Sequence, residues 1–222
     1  MKNIDYIIPL AWPEAIVQSA GGWYDFVTNT LGIAKNGKYR AGHSAVLLVN
    51  SKNGKVFYFD YGRYHTPIGF GRVRDEKTDH ELKITNVAAC NNGTIKNIKA
   101  ILLEIANNKS NHGEGQMYAS ILSGVDFERG YEYAKKMQKK GTIPYGPFIK
   151  IGTNCSRFVA SVMKAASPSL IKILRLKYPF CISPSPKRNV GIANQSYYII
   201  NKNDCEIVNR NAILGYLKSI EK

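Results

Sequence analysis

Acidic side chains are scarce in this sequence, and so are the features that mark several classes of protein. Its 222 residues carry 31 lysines and arginines against 16 aspartates and glutamates, which leaves a formal net charge of +15. No stretch approaches the roughly 18 apolar residues that a membrane-spanning helix needs. The apolar run near the N-terminus is too short for a secretion signal. We therefore expect a soluble protein of the cytoplasm.

The composition nevertheless suits a folded domain. Hydrophobic residues make up 44% of the chain, whereas disordered chains combine high charge with low hydrophobicity. At about 150 residues per domain, the length predicts one generous domain. We expect a single domain over residues 1–222, with its core at about 40–166, an N-terminal helical segment and a C-terminal addition of a hairpin and a helix.

The positive charge suits a nucleic-acid or anionic membrane partner, because phosphates neutralised by Lys or Arg release counterions. The basic residues are scattered in short groups, however, so we do not expect nucleic acid to be the main partner. Residues 169–176 mix leucine and isoleucine with Lys172 and Arg175, which leaves a peripheral membrane contact open. The oligomeric state is not specified by any of these features.

Cysteine is present without the spacing that metal sites need. The four residues are Cys90, Cys155, Cys181 and Cys205. None belongs to a Cys-x-x-Cys pair, and no histidine lies at zinc-ligand spacing from any of them, so we predict neither a metal nor a cofactor. In a reducing compartment these thiols stay free. The remaining question is whether one of them is a nucleophile.

Hydrophobic periodicity predicts an α+β fold. Two apolar runs, residues 42–50 and 55–62, flank a loop that contains Gly54 and predict a hairpin deep in a sheet. Helices and strands do not alternate regularly, which argues against a doubly wound sheet. We expect further strands at about 81–87, 196–200 and 205–208, helices at 23–31, 95–106, 127–140 (capped by Asp126), 156–166 and 211–220, and a loop at 183–189.

Cys155 has the position expected of a nucleophile. It follows a glycine-containing turn and opens a predicted helix within residues 152–159. A thiol at a helix N-terminus faces unpaired N–H groups and the positive end of the helix dipole, which lowers its pKa and favours the thiolate. The competing interpretation is a small buried residue that packs the start of the helix. The other three cysteines have weaker positions.

A thiolate nucleophile needs a base that can later protonate the leaving group, and histidine suits that role near neutral pH. The candidates are His43, His65, His80 and His112. We favour His43, because a polar ring at the start of a buried strand needs a partner.

The strand register selects the residue that would orient His43. If Asn50 faces Lys55 across a four-residue loop, Asp60 lies one diagonal step from His43 on the same face of the sheet. A two-residue turn at 53–54 would move Asp60 too far along its strand. We prefer Asp60 as the third member and keep His65 as the second choice.

These residues together resemble a known family. A Gly-His pair opens a buried strand, a polar residue follows on the next strand, and Asn-Cys-x-x-Phe-Val later opens a helix. This pattern is similar to the circularly permuted branch of the NlpC-type papain-like superfamily, which includes lecithin:retinol acyltransferase-like enzymes. His43 precedes Cys155, which is the permuted order. The resemblance covers residues 42–62 and 152–159 and implies a permuted papain-like fold, with an antiparallel sheet packed against helices.

The resemblance also implies a cysteine hydrolase, a peptidase or amidase that acts on a peptide or another amide or acyl substrate through an acyl-enzyme. Cys155 would attack the carbonyl, His43 would be the base, Asp60 would orient it, and N–H groups near the cysteine would stabilise the oxyanion. Candidates for oxyanion or substrate contacts are Asn154, Ser156 and Tyr145. Further candidates for the cleft wall are Trp23, Tyr24, Gln116 and Phe148.

Two other functions stay open. Acyltransferase-like members use a second histidine where Asp60 stands here, and they commonly carry a membrane anchor; a lipid acyltransferase or thioesterase is the alternative enzyme. The second alternative is a non-catalytic basic binding module in which Cys155 only packs. A long apolar groove beside Cys155 would favour a lipid substrate, and a narrower polar cleft would favour a peptide.

Overall fold

The structure is a computed structural model that describes residues 5–18, 38–40, 42–91, 93–147, 149–177 and 185–210. The helices expected at 23–31 and 211–220 lie outside the described residues, as do Trp23, Tyr24, Phe148 and Cys181. Within the described part, no helix is both long enough and apolar enough to cross a membrane.

An open antiparallel sheet forms the centre of the fold. Its strands are β1 (Asp5–Trp12), β4 (His43–Val49), β5 (Val56–Gly62), β6 (Phe70–Arg74), β9 (Met117–Ala119), β10 (Leu122–Val125), β11 (Ile143–Pro144), β12 (Tyr197–Ile200) and β13 (Cys205–Val208). They lie in the order β11-β6-β5-β4-β1-β9-β12-β13, and β10 pairs with β1. Two small pairs stand apart, β2 (Ile16–Gln18) with β3 (Lys38–Arg40) and β7 (Cys90–Asn91) with β8 (Thr94–Ile95).

Strand β1 lies in the middle of this sheet, although the sequence pattern predicted no strand there. Pro9 discourages such a prediction, because proline cannot donate to a strand ladder. In the structure Pro9 faces Val46 of β4, while on the other side pairing with β10 ends at Ile7 and pairing with β9 begins at Leu10. Proline therefore sits at the junction between two short partners. The sheet extends beyond the expected core of about 40–166 at both ends, since the β12–β13 hairpin also belongs to it.

Five described helices cover the two faces of the sheet. They are α1 (Ile98–Asn107), α2 (Phe127–Lys139), α3 (Cys155–Ala165), α4 (Leu170–Lys177) and α5 (Pro186–Ala193). Apolar side chains of α1 pack with Leu10 and Leu47 on one face, and those of α2 and α3 pack with Ile7 and Leu48 on the other. Residues adjacent in sequence point to opposite faces of a strand, which is why β4 is buried throughout and β1 is buried from Tyr6 onward. The predicted α+β class is confirmed.

The β4–β5 hairpin has the first of the two registers that the sequence allowed. Val49 faces Val56 and Ala45 faces Asp60, and the N–H of Asn50 donates to the carbonyl of Lys55 at 3.0 Å. This is the register of the four-residue loop rather than that of the two-residue turn. His43, two residues before Ala45, therefore shares a face of the sheet with Asp60.

Two local predictions are wrong. Residues 81–87 do not form a strand: a 3₁₀ turn covers His80–Leu82, and the N–H groups of Thr85 and Asn86 donate to the Glu104 carboxylate instead of to a neighbouring strand. The third strand of the series is β6. The loop expected at 183–189 gives way to α5 at Pro186, because Ser185 caps that helix and proline suits its first turn.

Candidate active site

His43 begins strand β4 and is held by packing on its ring. Gly42 precedes it with φ of +72°, a left-handed conformation that glycine adopts readily. The imidazole stacks on Trp12 with ring centroids 5.6 Å apart. Gly113 packs so closely on Trp12 that an added Cβ would come within 2.3 Å of the indole. The ring of His43 thus rests on a fixed support, with 7% of the residue exposed.

Asp60 lies beside His43 and is fully buried. Its Oδ2 atom is 3.4 Å from the Nε2 atom of His43. Arg74, directly opposite in the register of β5 and β6, donates to both carboxylate oxygens, from Nε at 3.0 Å and from Nη2 at 2.6 Å. The hydroxyls of Tyr58 and Tyr64 each donate to Oδ2 at 3.1 Å. The carboxylate is therefore ionised and fixed in orientation.

Cys155 is the first residue of α3, as predicted, and 7% of it is exposed. Asn154 caps the helix, because its side-chain oxygen accepts from the N–H of Arg157 at 2.9 Å. Cys155 and His43 lie close enough for each to shift the pKa of the other, and the sulfur of Cys155 is 3.9 Å from the hydroxyl oxygen of Ser156. The fold thus brings Cys155, His43 and Asp60 into one chain of contacts.

The electrostatics of this chain favour a charged pair. Burial alone would raise the pKa of the Cys155 thiol, but the hydrogen bond and charge of His43 outweigh it and lower the pKa. Burial alone would lower the pKa of His43, whereas its hydrogen bonds to Asp60 and Cys155 raise it overall. Opposite shifts of this kind favour an imidazolium beside a thiolate.

A cleft of about 410 Å³ opens beside His43. Its wall carries both polar and aromatic groups: Ala15, Ile16, His43, Tyr61, Gly62, Arg63, Tyr64, Thr66, Pro67, Ile68, His112 and Tyr145. Tyr145 stacks on Tyr61 with centroids 5.5 Å apart, and the guanidinium of Arg63 lies 5.8 Å from the ring centroid of Tyr145. His43 forms part of the wall, while Cys155 is nearly covered.

The remaining predicted residues have varied positions. His65, the second choice for the third member, lies exposed in a turn with φ of +50°, whereas Asp60 is buried beside His43. His80 is exposed in its 3₁₀ turn, and His112 lines the cleft. Gln116 bonds to Tyr118 and Asn201. Among the described residues, no three His, Cys, Asp or Glu side chains converge as a metal site would require.

Tyr64 and Arg74 also contact Asp60, although the sequence pattern did not predict a place for them in this site. Arg74 carries a usable signal: had a strand been placed at 70–74, its antiparallel register with β5 would have set a basic residue opposite a buried aspartate. The sequence contains no such signal for Tyr64. This residue lies in the turn after β5, and the path of the backbone in that turn decides where its ring lies.

Comparison with known proteins places this site in a family. A family model described as type VI secretion system effector TseH-like matches residues 7–170, well over half of the chain. The chain belongs to the TseH-like family. The matched region includes His43, Asp60 and Cys155.

A solved structure agrees with the TseH-like assignment at the level of the fold. The crystal structure of the type VI secretion system effector TseH aligns with 94% of this chain and 100% of that chain, at a TM-score of 0.64 and 19% sequence identity. At this identity the likeness concerns the fold alone. A search of curated proteins found no match.

Proposed function

We propose that this TseH-like protein is a cysteine hydrolase that cleaves an amide bond through an acyl-enzyme, with Cys155 as nucleophile, His43 as general base and acid, and Asp60 as the orienting group. One observation carries the proposal: Cys155 begins α3 beside His43, and Nε2 of His43 lies 3.4 Å from Oδ2 of the buried Asp60, while the pKa values of Cys155 and His43 shift in opposite directions. A cysteine buried only for packing needs no such partner.

The chemistry follows from this arrangement. The thiolate of Cys155 attacks the carbonyl carbon, and the resulting oxyanion is stabilised by N–H groups at the start of α3. As the C–N bond breaks, the imidazolium of His43 transfers its proton to the leaving amine. Neutral His43 then removes a proton from water, which attacks the thioester, releases the acid and returns the sulfur as leaving group. Asp60 keeps the ring oriented throughout.

The cleft supports a peptide-like substrate over a long acyl chain. Its volume of about 410 Å³ is modest, and tyrosine, histidine, arginine and threonine side chains share the wall with a few apolar ones. Such a wall offers hydrogen-bond partners to an amide backbone and aromatic surfaces for stacking. Tyr145 lies in it as a candidate substrate contact.

The family suggests where the reaction is used. We infer that the protein is made in the cytoplasm and exported as an effector by the type VI secretion system for which its family is named. Hydrolysis of an amide-containing substrate would then be the activity of the exported effector. We also propose that the protein belongs to the circularly permuted branch of the NlpC-type papain-like superfamily, in which the catalytic histidine precedes the cysteine.

Thiol alkylation tests the proposed nucleophile without a known substrate. At pH 6 an activated Cys155 should react with iodoacetamide at least tenfold faster than Cys90 and Cys205, since burial raises the pKa of both of those thiols. Peptide mapping by mass spectrometry after timed quenching gives the rate at each cysteine. Equal rates at all three thiols would overturn the proposal.

A second cleft histidine provides the matched control. His43→Ala should abolish the advantage of Cys155 at pH 6, because the imidazolium that stabilises the thiolate is gone. His112→Ala removes a histidine from the same cleft wall and should leave Cys155 activated. The same slowing in both variants would show that His43 has no special part.

One observation favours the second enzyme candidate, a lipid acyltransferase or thioesterase. In α4 the apolar side chains of Leu170, Ile171 and Leu174 are 70%, 67% and 46% exposed, next to basic residues that attract anionic lipid. Hydrolysis of long-chain acyl thioesters in preference to peptide amides, abolished by Cys155→Ser, would favour this candidate over the peptidase.

A further inference from the structure

The hydroxyl of Tyr64 lies between the two partners of the candidate histidine–aspartate pair. Its oxygen is 3.4 Å from Nε2 of His43 and 3.1 Å from Oδ2 of Asp60. The direct distance from Nε2 to Oδ2 is also 3.4 Å. The Nε2 atom of His43 therefore has two oxygen neighbours at the same distance, one from a carboxylate and one from a phenol.

Tyr64 is fixed in this position by three independent contacts. The guanidinium carbon of Arg74 lies 3.4 Å from the centroid of its ring, a cation–π contact. The Nε atom of Arg72 donates to the backbone carbonyl of Tyr64 at 2.8 Å. Gly62 leaves room for the ring, since an added Cβ would lie 2.4 Å from it. The phenol is thus a built part of the site and not a side chain that swings in from the cleft.

The atoms that carry protons determine the direction of each hydrogen bond around Tyr64. A phenol has one proton, and burial together with the charge of Asp60 raises the pKa of Tyr64, so the proton stays on the hydroxyl. The carboxylate of Asp60 can only accept, so the hydroxyl donates to it. The lone pairs of the phenol oxygen then face Nε2, which must carry a hydrogen to bond either neighbour. Nδ1 is left for the thiol of Cys155.

We propose that Tyr64 is a positioning residue of the candidate active site: its hydroxyl accepts the Nε2 hydrogen of His43 while donating to Asp60, and so fixes the ring orientation that presents Nδ1 to Cys155. The inference rests on the proposed function. It gives Tyr64 a task beyond that of Asp60, because the Oδ2 atom nearest His43 also accepts from Arg74 and Tyr58. The phenol supplies His43 with a second acceptor.

Tyr58 provides a matched control for this role. Its hydroxyl donates to the same Oδ2 atom of Asp60 at the same distance, 3.1 Å, but the structure gives it no bond to His43. Tyr58→Phe and Tyr64→Phe each remove one donor from Asp60. Any difference between the two variants therefore reports the contact of Tyr64 with His43. The other polar groups around the Tyr64 ring, Arg74, His112, Tyr145 and Cys155, are unchanged in both.

The test is the pH profile of Cys155 alkylation by iodoacetamide, measured from pH 5 to pH 10 in the full chain. Relative to Tyr58→Phe, Tyr64→Phe should react about fivefold more slowly at pH 6, the rate equivalent of one neutral hydrogen bond. The two rates should converge above the thiol's ordinary pKa of about 8.5, where thiolate forms without help from His43. Thermal unfolding of both variants checks that each is folded.

Each outcome decides a separate point. Coincident profiles of the two variants, with an activated wild-type thiol, would overturn the role of Tyr64 and leave the proposed function standing. A slowing of equal size at every pH would also overturn it, because a change in access, and not in protonation, produces that result. A wild-type Cys155 with no advantage over Cys90 would overturn the proposed function itself.

Discussion

At the scale of single residues, Asp60 carries a buried negative charge that a neighbouring arginine stabilises. The carboxylate is fully buried, and its charge is balanced by Arg74 across the β5–β6 pair. Removing one partner of a buried ion pair leaves the other uncompensated, which is more destabilising than losing a surface contact. The same ion pair that supports His43 is therefore also a stability element of the sheet.

Acid unfolding should reveal this ion pair. Burial alone would raise the pKa of Asp60, but its bonds to His43 and Arg74 lower it to about 2, below the unfolded value of about 3.9. A carboxyl group with a lowered pKa stabilises the folded state at any pH above the pKa that it has in the unfolded chain. This stabilisation is lost as the pH falls through about 2. The contribution is about 2 kcal/mol. Urea unfolding at pH 6, 4 and 2 should show wild type losing about that much more than Asp60→Asn.

The comparison between wild type and Asp60→Asn removes the contribution of other carboxylates. Asp75 and Asp79 also have lowered pKa values, through Lys135 and Arg72 against the opposing effect of burial, and they titrate in both proteins. Parallel pH profiles of the two proteins would show that Asp60 is not held ionised by its neighbours.

At the scale of elements, the start of α3 combines a structural and a chemical task. Asn154 caps the helix through the N–H of Arg157, and the next residue is Cys155. The side chain of Arg157 reaches the carbonyl of Ile149 at 2.8 Å and ties the preceding loop to the same turn. Asn189 of α5 donates to the carbonyl of Ser156 at 2.8 Å. Cys155, the proposed nucleophile, thus lies in a turn that three side chains hold in place.

Two N-caps separate these tasks. Asn154→Ala on α3 and Asp126→Ala on α2 each remove a side-chain acceptor from a first-turn N–H and should each lower the free energy of unfolding by about 1 kcal/mol. Only Asn154→Ala should also slow alkylation of Cys155 at pH 6, because it loosens the turn that aligns the sulfur with the helix dipole. Chemical denaturation and timed alkylation measure the two effects. Equal alkylation in the two variants would contradict the role given to the cap.

At the scale of the whole molecule, the net charge of +15 acts apart from the site. A scattered positive charge attracts any polyanion at low salt, with an affinity that falls as counterions compete. This is the behaviour expected of the basic binding module, but here it accompanies a buried Cys155–His43 pair that binding alone does not need.

The salt dependence of DNA binding tests whether the positive charge acts non-specifically and apart from the candidate site. Fluorescence anisotropy with a short DNA duplex should show weak binding at 50 mM salt. The affinity should drop at least tenfold by 200 mM, because salt cations compete with lysine and arginine for several phosphates. Cys155→Ala should bind equally well. Affinity that persists at 200 mM salt, or that needs Cys155, would contradict a non-specific role for the charge.

The predictable parts of this protein are those in which local pattern and local structure agree. The sequence allowed two registers for β4 and β5, and the register of the four-residue loop, with strict alternation, sets Asp60 beside His43. The position of Cys155 followed from a glycine turn before an amphipathic helix. The strand predicted at 81–87 does not form, because the Glu104 side chain takes the place of a neighbouring strand as acceptor for the N–H groups of Thr85 and Asn86.

The sequence by itself determined the α+β class, narrowed the hairpin to two registers and placed Cys155 at the start of a helix, because these features depend on contacts between residues close along the chain. Only the tertiary structure decided that β1 runs through the middle of the sheet and that Arg74 and Tyr64 surround Asp60. The physical reason is that these groups meet across strands and turns. Residues that are far apart along the chain become neighbours of the buried charge only when the strands pair. The local periodicity of the sequence does not predict which of them will meet.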